Sequence, residues 1–507
     1  MTLPGWLTPL GGADEQREID TWAIESAGVP SLDLMERAGV GLARLVGERA
    51  PTGKVAVLCG KGNNGGDGLV AARILREEGR EVDVLALGPL EELKGDARVN
   101  LERLPGSAPR TFGPQALDGA AAVLDAMLGT GFEGEPREPV RSAIDAARDA
   151  GKAGAAVIAA DVPSGVNAST GEVAGAAVQA QATATFHAAK PGLWIAPGKQ
   201  HAGDVAVVPI GVPRGAPERA QIGLIDPAVL ELVPRRDASS TKFAGGSVLV
   251  CGGSTGLTGA PSMAAEAAMR AGAGYVTVAV PRGLHEVFEL RLVEVMSVPL
   301  DDEGASALVP AGVEKALEQA ERVEAVVLGP GAGRGDGTFT AVRELAGRVD
   351  KPLVLDADGL NAHAGSLDGL AARRAPTVLT PHAGELARLL GISSQEVAAQ
   401  RLRRVREAAQ RARAIVVLKG DDTLVAVPDG RVAVSRGGSP ALATAGTGDV
   451  LSGVLGAFLA KDVDPFAAAA AAVFLHARAG VLAAAGHGPD GVIARDVIAA
   501  LPHALGA

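Results

Sequence analysis

Short apolar runs of strand length alternate along this chain with stretches whose apolar positions recur at helical spacing. KVAVLC (54–59) precedes a glycine-rich loop, and LVAARILREEG (69–79) then predicts a helix. EVDVLAL (81–87), AAVLDAM (121–127) and AAVIAAD (155–161) predict further strands, with a helix over PVRSAIDAARDAG between the last two. Strands this uniformly apolar suit a parallel sheet covered on both faces. The first part of the chain is therefore expected to be α/β, a Rossmann-like doubly wound sheet.

Between about Gly211 and Thr241 the pattern breaks. GVPRGAPERAQIGLIDPAVLELVPRRDASST is rich in Pro and Arg and predicts at most one short helix. A linker is expected over 216–240, separating a domain at 1–215 from a second at 241–507. The second α/β series begins with GGSVLVCGG (245–253) and continues through YVTVAV, EAVVLGPG, KPLVLDADG, PTVLTPH and AIVVLKG. The two series do not repeat one another, which predicts two different domains.

Composition narrows the function. A chain of 507 residues exceeds one ordinary core. Aromatics are only 3%, so Ala, Val, Leu and Ile must fill the interior. A net charge of −11 excludes nucleic acid as the main partner, because neutralising phosphates needs a basic surface. Cys59 and Cys251 each close an apolar run and are expected to be buried free thiols, as in a reducing cytoplasm. The first twenty residues carry no basic-then-apolar leader pattern. Pro465 to Ala485, which includes His476 and Arg478, is expected to be a buried Ala-rich helix, with no membrane role.

GKGNNGGDG (60–68) joins a predicted strand to a predicted helix. Gly60, Gly62 and Gly65 fit a dinucleotide fingerprint, with Asp83 about twenty residues on. The oxygens of Asn63, Asn64 and Asp67 suit a hard cation, and amides at the helix start suit phosphate. A polar turn with left-handed Asn and Gly is the plainer alternative. Asp125 lies near the end of AAVLDAM and is followed by GTGFEGE (129–135); Asp161 ends AAVIAAD, with Ser164 close behind. Strand carboxyl ends of an open parallel sheet share one edge, so these residues are expected in one crevice. Each, taken singly, also suits a helix cap.

Together with AADVPSG and FHAAKPGL (186–193), these segments resemble the NAD(P)H-hydrate epimerase domain over most of 1–215. The resemblance implies that Asn63, Asn64, Gly65, Gly66 and Asp67 surround the hydrated dinucleotide, together with Gly129, Thr130, Gly131, Phe132, Glu133, Gly134 and Glu135. It implies that Asn64, Asp125 and Ser164 hold K+ and that Asp161 touches the substrate, where a carboxylate can move a proton. Lys190 is expected at the substrate's phosphates or on the solvated surface.

ATAGTGDVLSG (443–453) carries the second chemistry. Glycines at a helix start turn amides toward one point, which stabilises a phosphoryl group in transfer, and Asp449 beside them can take a proton from a hydroxyl. Helix capping is the plain alternative. With GGSTGLTGAP (252–261), LGPGAG (328–333), DADGLNA (356–362), LTPHAGE (379–385) and LKGDDT (418–423), it resembles the ribokinase-like fold and, within it, the ADP-dependent NAD(P)H-hydrate dehydratase. The resemblance implies that Ala260, Gly333, His382 and Asp449 contact the hydrate. It also implies that ADP, with Mg2+, lies along Lys419, Gly420, Asp421, Asp422 and Thr423 and at Gly448. His382 is otherwise a cap and Lys419 an exposed strand-end lysine. Thr241-Lys242 stands where the family usually reads His-Lys, Leu257 where an aromatic is common, and Ser439 and Ala441 where Asn and Gly are typical.

The expected activity is repair of NADHX and NADPHX: epimerisation of R and S forms, then ADP-dependent dehydration of the S form. A cytoplasmic homo-oligomer is expected. The rival enzyme is a ribokinase-type small-molecule kinase fused to a dinucleotide-binding domain, which leaves the NNGGDG segment unexplained. A dinucleotide-binding scaffold or sensor leaves Asp449 unexplained.

Overall fold

A computed structural model describes residues 2–506. They form two compact units: Pro9–Gly223, and Leu224 onward together with Pro4–Thr8.

The first unit holds a seven-stranded sheet among its described residues, in the order Arg110–Thr111, Val82–Ala86, Val55–Cys59, Ala122–Ala126, Ala156–Ala160, Ala182–Phe186 and Asp204–Val208. Every neighbouring pair is parallel. The central strands are buried at every position, as their uniform apolar character requires. Leu42 and Val46 of helix Ser31–Arg49 cluster with Val55, Val57 and Leu124 on one face. Ala143, Ile144 and Ala147 of helix Val140–Lys152 cluster with Ala56, Leu58 and Val123 on the other. This is the doubly wound arrangement that the sequence predicts. Strand order reverses between Val55–Cys59 and Ala122–Ala126, so a crevice opens beyond their carboxyl ends.

One element starts earlier than its periodicity predicts. The helix expected at 69–79 spans Asn63–Glu77, so NNGGDG is its first turns and not a loop. Glycine makes this possible: a Cβ on Gly65 would stand 2.0 Å from the Gly60 carbonyl oxygen. The helix start can thus lie directly against the end of the strand before it.

The second sheet has seven successive parallel strands, in the order Met296–Leu300, Tyr275–Pro281, Ser247–Cys251, Ala325–Leu328, Leu353–Leu355, Thr377–Leu379 and Ile415–Leu418. Leu424–Ala426 and Val432–Val434 follow antiparallel, and Ile222–Ile225 and Leu7–Leu10 extend that edge. The expected linker is therefore not free of regular structure: IGLI is a buried strand, and Pro227–Leu232 is a 3-10 helix capped by Asp226. Four apolar residues among prolines and arginines are too few to show a period. The order reverses beside Ser247–Cys251, again opening a crevice at carboxyl ends.

Helix Thr447–Ala460 is buried along nearly its whole length and packs on helix Gly259–Arg270. Pro465–His487 is long and apolar enough to cross a membrane by length and composition, but 72% of its apolar window is buried inside the protein. Cys59 and Cys251 are free and buried.

Alanine raises the propensity of an ordinary helix relative to glycine by up to ~1 kcal/mol. Gly65→Ala is nonetheless expected to lower stability, by roughly 1–3 kcal/mol of overpacking. Chemical unfolding would measure it; an unchanged or raised stability would contradict the close approach to Gly60.

Candidate active sites

At the first switch point, Asn64 comes from the helix after Val55–Cys59 and Asp125 from the end of the adjacent strand. Asp125 is fully buried. Its Oδ2 accepts from Ser164 N at 2.8 Å and its Oδ1 from Ser164 Oγ at 2.6 Å. Ser164 Oγ also accepts from Leu128 N at 3.0 Å, and Asn64 Nδ2 donates to Leu128 O at 2.8 Å. Burial pushes the Asp125 carboxyl up to about 6, against the bonds from Ser164 and Met127. Asn64 Oδ1 is buried with no hydrogen-bond partner among the described residues. An orphaned amide oxygen beside a carboxylate buried without a cationic partner is an oxygen donor set that fits a hard cation. Asn64, Asp125 and Ser164 are thus brought together.

Asp161 follows strand Ala156–Ala160 in a left-handed conformation, φ 64°. Its Oδ1 accepts from Lys190 Nζ at 2.5 Å, Phe186 N at 3.1 Å and Thr185 Oγ1 at 3.2 Å. Lys190 is only 1% exposed, and its ammonium also donates to Thr185 Oγ1 at 3.0 Å and Phe186 O at 2.8 Å. This corrects the expectation for Lys190. It is not on the solvated surface: it is buried at the cavity wall, with its protons given to Asp161, Thr185 and Phe186.

Asn63, Asn64, Asp67, Gly129, Thr130, Gly131, Phe132 and Asp161 line one cavity of about 610 Å3. Gly65 and Gly66 lie behind the wall, buried in the helix. Glu133, Gly134 and Glu135 are not on the wall, and Glu135 pairs at the surface with Arg141 at 2.9 Å. Gln16, Asp20, Met35 and Lys61 are also on the wall, as is Lys190, and the first three carry no sequence signal of a site. Gln16 and Asp20 sit on helix Ala13–Glu25, in a sequence that reads as an ordinary polar helix, and no motif marks them. Burial and the charges of Asp161 and Asp20 push the Asp67 carboxyl well above its usual range.

In the second unit, Gly446 at φ 94° takes the left-handed conformation that turns the chain into helix Thr447–Ala460, with Asp449 in its first turn. A Cβ on Gly448 would stand 3.4 Å from Lys419 Nζ. Lys419 pairs with Asp356 at 3.1 Å and lies 3.7 Å from Glu385, so it is a partnered lysine and not an exposed one. Burial opposes its charge, but Asp356 and Glu385 outweigh burial and raise its pKa. Asp356, almost fully buried, also accepts from Thr380 Oγ1 at 2.7 Å and Ser452 Oγ at 2.5 Å. Burial, and then the Asp356 charge, push Asp449 up to about 7, with Lys419 acting in the opposite direction.

Lys419, Gly420, Asp421, Thr423, Thr447 and Gly448 line a cavity of about 430 Å3, whose far wall is apolar: Pro440, Leu442, Leu451 and Val473. Asp422 is not on this wall. Its carboxylate is buried against Arg401 at 2.8 Å, because an unpaired carboxylate there would be costly. Ser439 lines the cavity and caps a 3-10 helix through Ala441 N. Ala260, Gly333, His382 and Asp449 are not among the lining residues. Gly333 N donates to Asp358 Oδ2 at 3.0 Å, and the charges of Asp358 and Glu385 both reach Asp449. A Cβ on Gly331 would stand 3.3 Å from the Ala260 Cβ. His382 does act as a cap: its Nδ1 accepts from Gly384 N at 3.0 Å, while the ring is 55% exposed. Asp356 and Glu385 lay in recognised segments, but only the fold shows that they converge on Lys419.

Both units thus gather buried carboxylates and glycine-bearing helix starts at the carboxyl ends of a parallel sheet, which defines a two-site α/β enzyme. Residues 31–192 match the family described as YjeF-related protein N-terminus, and residues 248–503 match the family described as NAD(P)H-hydrate dehydratase. The bifunctional NAD(P)H-hydrate repair enzyme Nnr of Moorella thermoacetica is 39% identical over 97% of this chain and 96% of its own. That of Salinibacter ruber is 41% identical over 97% and 95%. The chain belongs to the family of bifunctional NAD(P)H-hydrate repair enzymes. Among solved structures, the ADP/ATP-dependent NAD(P)H-hydrate dehydratase from Bacillus subtilis, co-crystallised with ATP and Mg2+, is 29% identical. It covers 54% of this chain and 94% of its own, with a TM-score of 0.47.

Removing one partner of a buried ion pair typically costs 3–5 kcal/mol. Lys190→Met is expected to lose about that much stability in chemical denaturation, with much of it regained in Lys190→Met/Asp161→Asn. A single variant as stable as wild type would contradict the buried pair.

Proposed function

We infer that the chain repairs hydrated nicotinamide dinucleotides at two sites. The first unit interconverts the R and S epimers, and the second dehydrates the S epimer at the expense of ADP. The observation that carries this reading is kinship along nearly the whole chain to enzymes of that name, combined with one intact carboxylate site in each unit.

In the first unit the dinucleotide occupies the cavity bounded by Asn63, Asn64, Asp67, Gly129 to Phe132 and Asp161. Asn64, Asp125 and Ser164 would hold K+, which when bound neutralises the Asp125 carboxylate. Lys190 keeps one oxygen of Asp161 fixed, and the other, unengaged among the described residues, can exchange a proton with the substrate.

In the second unit the adenine and ribose lie in the cavity of Lys419 to Thr423, and the phosphates approach Gly448 and the amides at the helix start. Asp449 takes the proton of the ring hydroxyl as its oxygen attacks the β-phosphorus of ADP, releasing AMP. Phosphate then leaves as the ring nitrogen's lone pair expels it. Loss of the neighbouring ring proton restores the dihydronicotinamide. The hydrate is held beside Ala260, Gly333 and His382. Two reduced thiols and the need for free ADP suit the cytoplasm.

Asp449→Asn should abolish dehydration while epimerisation continues, with a loss of roughly 10²–10⁴-fold for a missing base. The base must be ionised, so the wild-type dehydration rate should rise as pH passes through about 7 and level off above it. Near-normal ADP-dependent repair by the variant would reduce Asp449 to a helix cap. Epimerisation should run faster in K+ than in an equal concentration of tetramethylammonium, since the oxygens of Asn64, Asp125 and Ser164 can ligate a bare ion, whereas the methyl groups of tetramethylammonium block such contact. Equal rates would remove the cation from the site.

A further inference from the structure

An epimerase must carry the ring hydroxyl from one face of the ring to the other, and the roles assigned to Asp67 and Asp161 rest on that reading of the first unit. These two carboxyl groups on the wall of the 610 Å3 cavity are in opposite circumstances. Asp161 Oδ1 is fixed by Lys190, Thr185 and Phe186 N, and its other oxygen has no partner among the described residues. Asp67, on the second turn of helix Asn63–Glu77, is 8% exposed and makes no hydrogen bond or ion pair among the described residues. The charges it feels are Asp161, Asp20 and Lys190; Arg17, Lys61 and Asp96 stand farther along the same wall.

A buried carboxyl group without a partner favours its neutral form, whereas one held by an ammonium favours its ionised form. Asp67, buried without a partner, is suited to give a proton, and Asp161, with one oxygen held and the other free toward the cavity, is placed to receive one. We propose that Asp67 protonates the departing ring hydroxyl and that Asp161 deprotonates the water that replaces it on the opposite face. The C–O bond breaks with its electron pair going to oxygen, which takes the Asp67 proton and leaves as water. The ring nitrogen's lone pair meanwhile becomes a carbon–nitrogen double bond. A second water adds to that carbon from the side of Asp161, gives its proton to the free Asp161 oxygen, and returns the lone pair to nitrogen. One proton and one water leave, and one of each returns. The proton gained by Asp161 then returns to Asp67 through solvent, which restores the starting pair, and the opposite epimer follows the same steps in reverse.

The full chain, given R-enriched hydrate in 18O-water without nucleotide, should incorporate one solvent oxygen per inversion, read by chromatography and mass spectrometry against a protein-free control. Asp67→Asn should slow inversion by roughly 10²–10⁴-fold. Its thermal midpoint should hold, because the amide matches the neutral carboxyl in size. The wild-type rate of R-to-S inversion should fall as pH rises through Asp67's elevated pKa, because the proton donor is lost. Inversion by Asp67→Asn at the wild-type rate, or inversion without solvent oxygen, overturns the proposal. If the variant melts early, the wild-type pH profile decides, and a rate that stays flat into the alkaline range overturns it. A wild-type chain that never interconverts the epimers would instead overturn the epimerase reading.

Discussion

Burying a carboxylate at the end of an apolar strand is costly unless something nearby compensates its charge. Both units of this chain depend on that constraint. The central parallel strands are made almost wholly of small and aliphatic residues, and at their carboxyl ends Asp125, Asp161 and Asp356 sit almost completely out of water. Each is compensated differently. Asp161 has Lys190, Asp356 has Lys419 with two hydroxyl donors, and Asp125 has Ser164 and an oxygen donor set suited to a cation.

These differences set the chemistry. Where an ammonium is fixed beside the carboxylate, as at Asp161, one oxygen is held in place and the other is left toward the cavity. Where burial and, after it, a neighbouring carboxylate act on a carboxyl, as at Asp449, its pKa rises toward neutrality, the range in which a general base works best. Backbone strain falls at the same places. Asp161 at φ 64° and Ala357 at φ 50°, between Asp356 and Asp358, are non-glycine residues in left-handed territory at strand ends. Such positions cost of order 1–3 kcal/mol each and persist only where their surroundings fix them.

Much of this was legible in the sequence. Uniform apolar runs gave away the parallel strands, and glycine clusters marked both switch points. NNGGDG, GTG after Asp125 and GTGD at Asp449 identified the chemistry. Residues without a local signature were hidden. Gln16 and Asp20 lie on an ordinary polar helix, and the burial of Lys190 depends on a strand turn that no period reveals. Asp422 looked like its neighbours in LKGDDT, yet Arg401, about twenty residues upstream, draws it away from the cavity. The short strands Ile222–Ile225, Leu424–Ala426 and Val432–Val434 carry too few residues to show alternation.

The central claim, that one chain joins epimer exchange to nucleotide-driven dehydration, is tested most directly by supplying purified protein in K+ with an equilibrium mixture of both NADHX epimers, with and without ADP. Reduced-nicotinamide absorbance and epimer ratio would be followed together. With ADP, the whole mixture should return to NADH with one AMP and one phosphate per molecule repaired. Without ADP, the epimers should exchange and no absorbance should return. A stable phosphorylated product, or repair that stops abruptly when the S form is gone, would contradict the account.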